Sequence, residues 1–152
     1  METGYKISDI MTNDPIKIKQ TETVQASAKV MKLHNVGSLL VMEDSELVGI
    51  VTERDLVAKV VCDGKDAKLV KVKDIMTAAK DMITIDPGMD IYSAMMLMKE
   101  NEVRRLPVMS KGKLVGLVTA KDILKIQPEL FDLVVESYEL KEEERKLNLL
   151  DQ

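Results

Sequence analysis

The sequence has a single cysteine and a single histidine, Cys62 and His34, and this scarcity excludes several kinds of site. One cysteine cannot form an internal disulfide, and there is no Cys/His cluster of the kind that holds structural zinc. A Ser-His-Asp or Cys-His arrangement would have to use His34, and the residues around Cys62 match no nucleophile motif. We therefore predict no catalytic residue, no metal site and a reducing, cytoplasmic compartment.

Glycine, aromatic residues and long apolar runs are also scarce. The seven glycines form neither a G-x-G-x-x-G fingerprint nor a Walker loop, which excludes the two common glycine-rich phosphate loops. No stretch approaches the ~20 apolar residues that span a bilayer, and the first ten residues lack a signal-peptide pattern. Aromatic residues make up 3% of the chain, so aliphatic side chains and 11 methionines must build the core. Together these patterns predict a globular protein without a membrane segment.

An excess of charge of one sign occurs only towards the C-terminus. Residues 129–152 contain eight acidic and three basic side chains, a balance of −5 within a total of −4. The first 128 residues therefore carry +1, which gives no field that favours duplex DNA. Nucleic acid is for this reason an unfavoured partner.

What the sequence does contain is an internal repeat. A shift of 67 positions aligns residues 16–59 with 83–126 without a gap, and 14 of the 44 pairs are identical. Ten of the 14 identities fall within residues 36–55, and an Asp-Ile-Met-Thr segment at 9–12 recurs at 74–77. Such clustering indicates two copies of one structural unit.

Periodicity predicts the same order of elements in each copy. Residues 16–18 and 83–85 alternate like short strands, and each is followed by an apolar stripe at i, i+4 and i+7, typical of an amphipathic helix. Two apolar runs then flank a polar turn, which predicts a hairpin, and a second helix follows. Each copy is too small to close its own core. We therefore predict an α/β (α+β) fold in which two β-α-β-β-α repeats pack pseudo-symmetrically through their sheets. For the same reason, two chains should form a homodimer.

The end of each hairpin carries a repeated polar motif. Residues 49–55 and 116–122 share Gly-x-x-Thr-x-x-Asp, with Arg54 or Lys121 directly before the Asp. Thr at the N-cap and Asp three residues later form a capping box, which is one interpretation. The other is that the hydroxyl and the carboxylate share a ribose diol while the helix start and the basic residue attract phosphate, which predicts a nucleotide site.

Taken together, these motifs resemble a tandem pair of cystathionine-β-synthase-type (CBS) domains, also called a Bateman module. The resemblance covers most of the chain and rests on Ile-Met-Thr at 10–12 and 75–77, residues 103–108 in the second copy, and the two Gly-x-x-Thr-x-x-Asp segments. It places CBS repeats at 7–62 and 72–127. Residues 128–152 remain as an acidic C-terminal helix.

The resemblance also implies which residues bind a ligand. In the family the Thr and Asp bind the ribose of an adenine nucleotide, the base lies in an apolar slot near the first strand, and basic residues contact phosphate. Carried over to this sequence, it implies the following sets: Thr52, Asp55, Thr119 and Asp122 for ribose; Arg54, Lys121, Arg104 and Arg105 for phosphate; Ile16 and Ile83 for the base.

The first copy departs from this pattern. Gly37 and Ser38 stand where the second copy has Arg104 and Arg105, so the two clefts cannot be equivalent. The alternative for the arginines is a surface pair with Glu100 or Glu102.

The C-terminal segment and the function also leave alternatives open. The segment has apolar residues at helical spacing (Leu130, Leu133, Val134, Tyr138 and Leu140), and the helix either covers the protein's own fold or docks a basic partner. We expect a non-enzymatic regulatory module that binds an adenine nucleotide as a regulatory ligand, in the clefts between the repeats, and signals to a partner protein. The alternatives are a structural dimerising scaffold with vacant clefts and a nucleic-acid-linked regulator.

Overall fold

The computed structural model describes residues 1–150, except for the side chains of Ser137, Tyr138 and Leu140. The chain forms two compact units. The N-terminal unit contains Asp14–Ile83 and Lys111–Leu114, and the C-terminal unit contains Met1–Asn13, Thr84–Ser110 and the described residues from Val115 onward. The last two residues of the predicted 128–152 helix lie outside the described residues.

Residues 1–150 form seven strands and seven α-helices. The strands are β1 (Thr12–Asn13), β2 (Lys17–Lys19), β3 (Ser38–Glu43), β4 (Glu46–Thr52), β5 (Thr77–Ala78), β6 (Arg105–Ser110) and β7 (Lys113–Thr119). The helices are α1 (Ile7–Ile10), α2 (Val24–His34), α3 (Glu53–Leu56), α4 (Val72–Ile75), α5 (Ile91–Glu100), α6 (Ala120–Ile126) and α7 (Phe131–Leu150). Val57–Val61 continues α3 as a π-helical turn, and Ala79–Asp81 and Pro128–Leu130 are 3₁₀ turns.

Each unit is built on one small sheet. In the N-terminal unit the order is β2-β3-β4-β5, with β2 parallel to β3 and the other pairs antiparallel. In the C-terminal unit the order is β1-β7-β6, and Ile85 forms an isolated parallel bridge to Val108. The predicted first strand of the second repeat, residues 83–85, is thus reduced to that bridge.

The leading segment of each repeat pairs with the hairpin of the other repeat. Thr12 of β1 pairs with Leu117 of β7, and Thr77 of β5 pairs with Ile50 of β4. The neighbouring glycines explain part of the repeated motif: a Cβ on Gly49 would lie 2.6 Å from the Thr77 carbonyl oxygen, and one on Gly116 would lie 2.9 Å from the corresponding oxygen of Thr12. Both glycines are therefore required by the close approach of the paired strand.

The two long repeat helices present their predicted apolar faces to the cores. In α2, Val24 and Met31 are buried, and in α5, Ile91, Met95 and Met98 are buried. The methionines fill irregular spaces between helix and sheet, a role suited to an unbranched side chain. The prediction of a mixed α/β fold with two repeats and a C-terminal helix is confirmed, and the packing of the repeats through their sheets stays a prediction.

The C-terminal helix packs on the C-terminal unit. Glu136 of α7 forms an ion pair with Lys99 of α5, and Lys141 Nζ donates to the Glu102 carbonyl oxygen at 3.3 Å. Leu130, just before the helix, is buried. At least its first half therefore covers the chain's own fold. Among residues 1–150, no helix is both long and apolar enough to cross a bilayer.

Asp90 caps α5 and ties the N-terminal residues to it. Its carboxylate accepts hydrogen bonds from the N–H groups of Tyr92 and Thr3, at 2.8 and 2.9 Å, and from the Thr3 hydroxyl. Burial raises the pKa of Asp90, but these hydrogen bonds outweigh it and leave the pKa below its usual value. The charged form is thus favoured in the folded state.

Replacing Asp90 with alanine should lower the free energy of unfolding by about 1–2 kcal/mol at neutral pH, because the cap is lost. The contribution of the carboxylate is present above its unfolded pKa, ~3.9, and disappears as the pH falls through the lower folded pKa. Urea unfolding from pH 7 to pH 3 should therefore show the difference between parent and variant shrinking at the acid end. Thr23→Ala removes the equivalent hydroxyl cap of α2 and should give a difference that does not vary with pH.

Candidate functional site

The repeated Thr and Asp form capping boxes in both units. The Thr52 N–H donates to Asp55 Oδ2 at 2.9 Å, and the Asp55 N–H donates to the Thr52 hydroxyl oxygen at 3.3 Å. Thr119 and Asp122 make the same two bonds, at 2.9 and 3.2 Å. The capping interpretation therefore holds in both repeats. Whether these groups also bind ribose depends on what remains unoccupied around them.

Around the first capping box, the carboxylate is fully engaged. Asp55 Oδ1 lies 3.1 Å from Lys59 Nζ, and that ammonium also donates to the Ile75 carbonyl oxygen at 2.8 Å. Arg54 is exposed, and Ile16 packs against the core of the N-terminal unit. A ribose at Asp55 would have to displace the lysine.

Around the second capping box, one carboxylate oxygen has no such partner. Ile126 occupies the position that Lys59 has in the first repeat, and Asp122 makes no ion pair with the part of the chain that the structure describes. Asp122 is half-buried. Its Oδ1 takes no part in the cap.

Beside this box lies a cavity of about 570 Å³, within the usual range for small-molecule sites. Residues from two of the three predicted sets meet there: Thr119 from the ribose set, and Lys121, Arg104 and Arg105 from the phosphate set. The fold brings them together because the Ala120 N–H donates to the Arg104 carbonyl oxygen at 2.9 Å, which holds the end of β7 against the start of β6. The nine residues that line the cavity are Arg104, Arg105, Thr119, Ala120, Lys121, Leu124, Lys125, Phe131 and Val134.

The lining of this cavity carries four cationic side chains and no carboxylate. The alternative of a surface pair with Glu100 or Glu102 does not apply to Arg105, which forms no ion pair among the described residues. At the equivalent positions of the first repeat, the charged residues are Arg54 and Glu53. The others are uncharged: Gly37, Ser38 and Ala58. The arginines predict a difference in charge between the two repeats, and two further positions increase it. Lys125 aligns with Ala58, and the uncharged Ala120 aligns with Glu53.

Some predicted site residues are not brought into this cavity. Ile83 belongs to the N-terminal unit together with Ile16, so neither lines it. Asp122 also lies outside the lining and adjoins it through its hydrogen bonds to Thr119. Three lining residues, Leu124, Lys125 and Phe131, were not predicted as site residues. The only signal for them in the sequence is their helical spacing after Lys121, together with the apolar C-terminal segment.

The N-terminal unit has a groove of its own, of about 780 Å³. It is lined by Lys17, Lys19 and Lys113 but also by Glu22 and Asp44, so its charge is mixed. None of the predicted site residues lines it. Within residues 1–150, no group of three or more His, Cys, Asp or Glu side chains is placed to hold a metal ion.

Comparison with known proteins assigns the chain to a family. The family model of the CBS domain matches it twice, at residues 7–62 and 72–129. An uncharacterised protein of Methanopyrus kandleri is 37% identical over 143 residues, which are 93% of this chain and 72% of the relative. Inosine-5'-monophosphate dehydrogenase of Korarchaeum cryptofilum is 36% identical over 119 residues, 78% of this chain but 23% of the dehydrogenase.

Solved structures agree with the family match. A CBS-CP12 protein from bloom-forming cyanobacteria, described as hexameric, superposes with a TM-score of 0.70 at 33% identity, covering 79% of this chain and 69% of that one. Two CBS repeats, each with a small sheet, are what the resemblance implied. The chain belongs to the CBS-domain family and is a tandem CBS pair, a regulatory ligand-binding module.

Proposed function

We propose that this CBS pair binds an adenine nucleotide of the AMP, ADP or ATP kind in the cavity of the C-terminal unit and signals its occupancy to a partner protein. The observation that carries the proposal is the lining itself, which contains four cationic side chains and Thr119 but no carboxylate. Arg105, Lys121 and Lys125 form no ion pair among the described residues, and such cations favour a ligand with phosphate groups. Arg105 can bind phosphate through two parallel N–H groups. The ligand is regulatory, and the chain has no catalytic activity of its own.

Several observations support a regulatory role over an enzymatic one. The match to the dehydrogenase covers 23% of that enzyme and leaves the rest of it without a counterpart in this chain. A single exposed thiol, Cys62, is compatible with the cytoplasm, where we place the protein.

Titration calorimetry with AMP, ADP, ATP and adenosine, at about 0.1 M and 1 M salt, tests the proposal. Because phosphate contacts are screened over ~10 Å at 0.1 M salt and ~3 Å at 1 M, nucleotide binding should weaken with salt. Adenosine should bind more weakly than AMP at low salt. If no nucleotide gives a heat of binding or a rise in melting temperature at saturating concentration, the cavity is vacant and the dimerising scaffold is the better description.

We also propose that two chains associate through the N-terminal unit. Leu33 of α2 and Val57 and Val61 of the π-helical turn are 79%, 61% and 72% exposed, although each is a large aliphatic side chain. Exposed aliphatic groups of this size favour burial in an interface.

Sedimentation equilibrium tests the association. We expect a homodimer of the 17.0 kDa chain. Val61→Glu should shift the equilibrium to the monomer by placing a charge in the contact, whereas Lys29→Glu, on the same unit's α2, should have a smaller effect. A parent protein that sediments only as the 17.0 kDa species contradicts the proposal.

A further inference from the structure

Phe131 is the only phenylalanine of the chain, and its side chain is 56% exposed. It begins α7 and lies outside both matched CBS domains, the second of which ends at residue 129. Its neighbour Leu130 is 5% exposed and anchors the start of the helix, so the core does not require Phe131. An aromatic ring exposed to this extent is available to a partner of another kind.

The position of the ring indicates what that partner is. Phe131 lines the cavity that also holds Arg105, Lys121 and Lys125. A protein surface that covered Phe131 with apolar groups would bury these cations without partners, which is unfavourable. A ligand with both an anionic group and a flat aromatic group satisfies the cations and the ring together.

The wall that carries Phe131 is held in place by its own contacts. Glu136 and Lys141 tie α7 to α5 and to the Glu102 carbonyl oxygen, and Val134, one turn after Phe131, lines the same cavity. Leu124 of α6 supplies a further apolar group to the lining. The cavity thus has a basic part formed by the hairpin and α6 and an apolar part to which α7 contributes.

We propose that Phe131 stacks on the adenine base of the bound nucleotide, so that the C-terminal helix, which lies outside the repeats, supplies the base contact of this site. The inference rests on the proposed function, since it needs a nucleotide in the cavity. It replaces the apolar slot of Ile83, which belongs to the other unit. Base stacking on an aromatic side chain contributes enough affinity to be measured by substitution.

The experiment compares AMP with ribose 5-phosphate, which has the same sugar and phosphate but no base. Phe131→Ala should weaken AMP binding about tenfold or more and leave ribose 5-phosphate binding unchanged. Leu147→Ala removes an exposed apolar side chain of the same helix, 61% exposed, and should change neither affinity.

Phe131→Trp gives a second and independent readout. The chain contains no tryptophan, so the introduced indole is the only one whose fluorescence is seen. This variant should retain AMP affinity, and its fluorescence should change on addition of AMP but not of ribose 5-phosphate.

The possible failures are distinguishable. If the parent binds neither AMP nor ribose 5-phosphate, the proposed function is wrong, and the role of Phe131 is wrong with it. If the parent binds both but Phe131→Ala binds AMP as tightly as the parent does, the nucleotide site stands and the stacking inference is overturned. Equal losses of AMP and ribose 5-phosphate affinity in Phe131→Ala would also overturn it, since the ring would then support the site without contacting the base.

Discussion

Simultaneous replacement of Arg104 and Arg105 by alanine should weaken AMP binding about a hundredfold or more. Each lost hydrogen bond to a charged group costs about 1.5–3 kcal/mol, and 1.4 kcal/mol is a factor of ten in affinity. Both side chains line the cavity of the C-terminal unit, and their counterparts Gly37 and Ser38 cannot replace them. Titration calorimetry should show the tight, salt-sensitive phase disappear while any weaker phase from the N-terminal unit remains.

The matched control removes the same charge from elsewhere. Lys29 and Lys32 are exposed on α2 of the N-terminal unit, and Lys29→Ala with Lys32→Ala lowers the net charge by the same two units. AMP affinity should change by less than about threefold in that variant, because exposed charges far from a ligand are screened. If both double variants lose affinity equally, the effect is one of net charge, and the arginines do not contact phosphate.

Replacing Asp122 with alanine should weaken AMP binding about tenfold to a hundredfold, whereas Asp55→Ala should leave the tight phase unchanged. The reason is the different occupation of the two carboxylates: Asp55 pairs with Lys59 at 3.1 Å, and Asp122 has Ile126 at the equivalent position. Both substitutions remove a capping box, so both should reduce stability by a similar amount, about 0.5–2 kcal/mol. Urea unfolding measures that shared cost separately from binding.

An exchange of the fourth residue after each Asp sharpens this prediction. Ile126→Lys places an ammonium within i,i+4 reach of Asp122 and should weaken AMP binding while the cap remains. Lys59→Ile is the reciprocal variant and should release Asp55 without affecting the tight phase. If Asp122→Ala and Ile126→Lys both bind AMP as the parent does, Thr119 and Asp122 are a capping box and nothing more.

The parts of the fold that depend on local pattern could be predicted from the sequence. The apolar stripes of α2 and α5, the two hairpins and the repeated capping motif follow from periodicity and spacing within about 40 residues. The difference between the repeats could also be predicted, because Arg104 and Arg105 align with Gly37 and Ser38. These features require no knowledge of which segments meet in space.

The parts that depend on distant segments could not be predicted. Gly49 and Gly116 are explained by strands about 28 and 104 residues away, which pair with the hairpin of the other repeat. The i,i+4 spacing of Asp55 and Lys59 was enough to predict their ion pair. That this pair makes the two carboxylates unequal becomes clear only from the structure, in which Asp122 forms no ion pair with a described residue. Phe131 enters the site because α7 folds back onto α5, which no periodicity of the helix itself indicates.

A crystal structure of the protein grown with AMP tests the central claim most directly. We expect the phosphate within hydrogen-bond distance of Arg105 and Lys121 and the ribose beside Thr119 and Asp122, in the cavity of the C-terminal unit. Density for AMP in the groove lined by Lys17 and Lys113, or a cavity without AMP at concentrations that saturate binding in solution, would contradict the account.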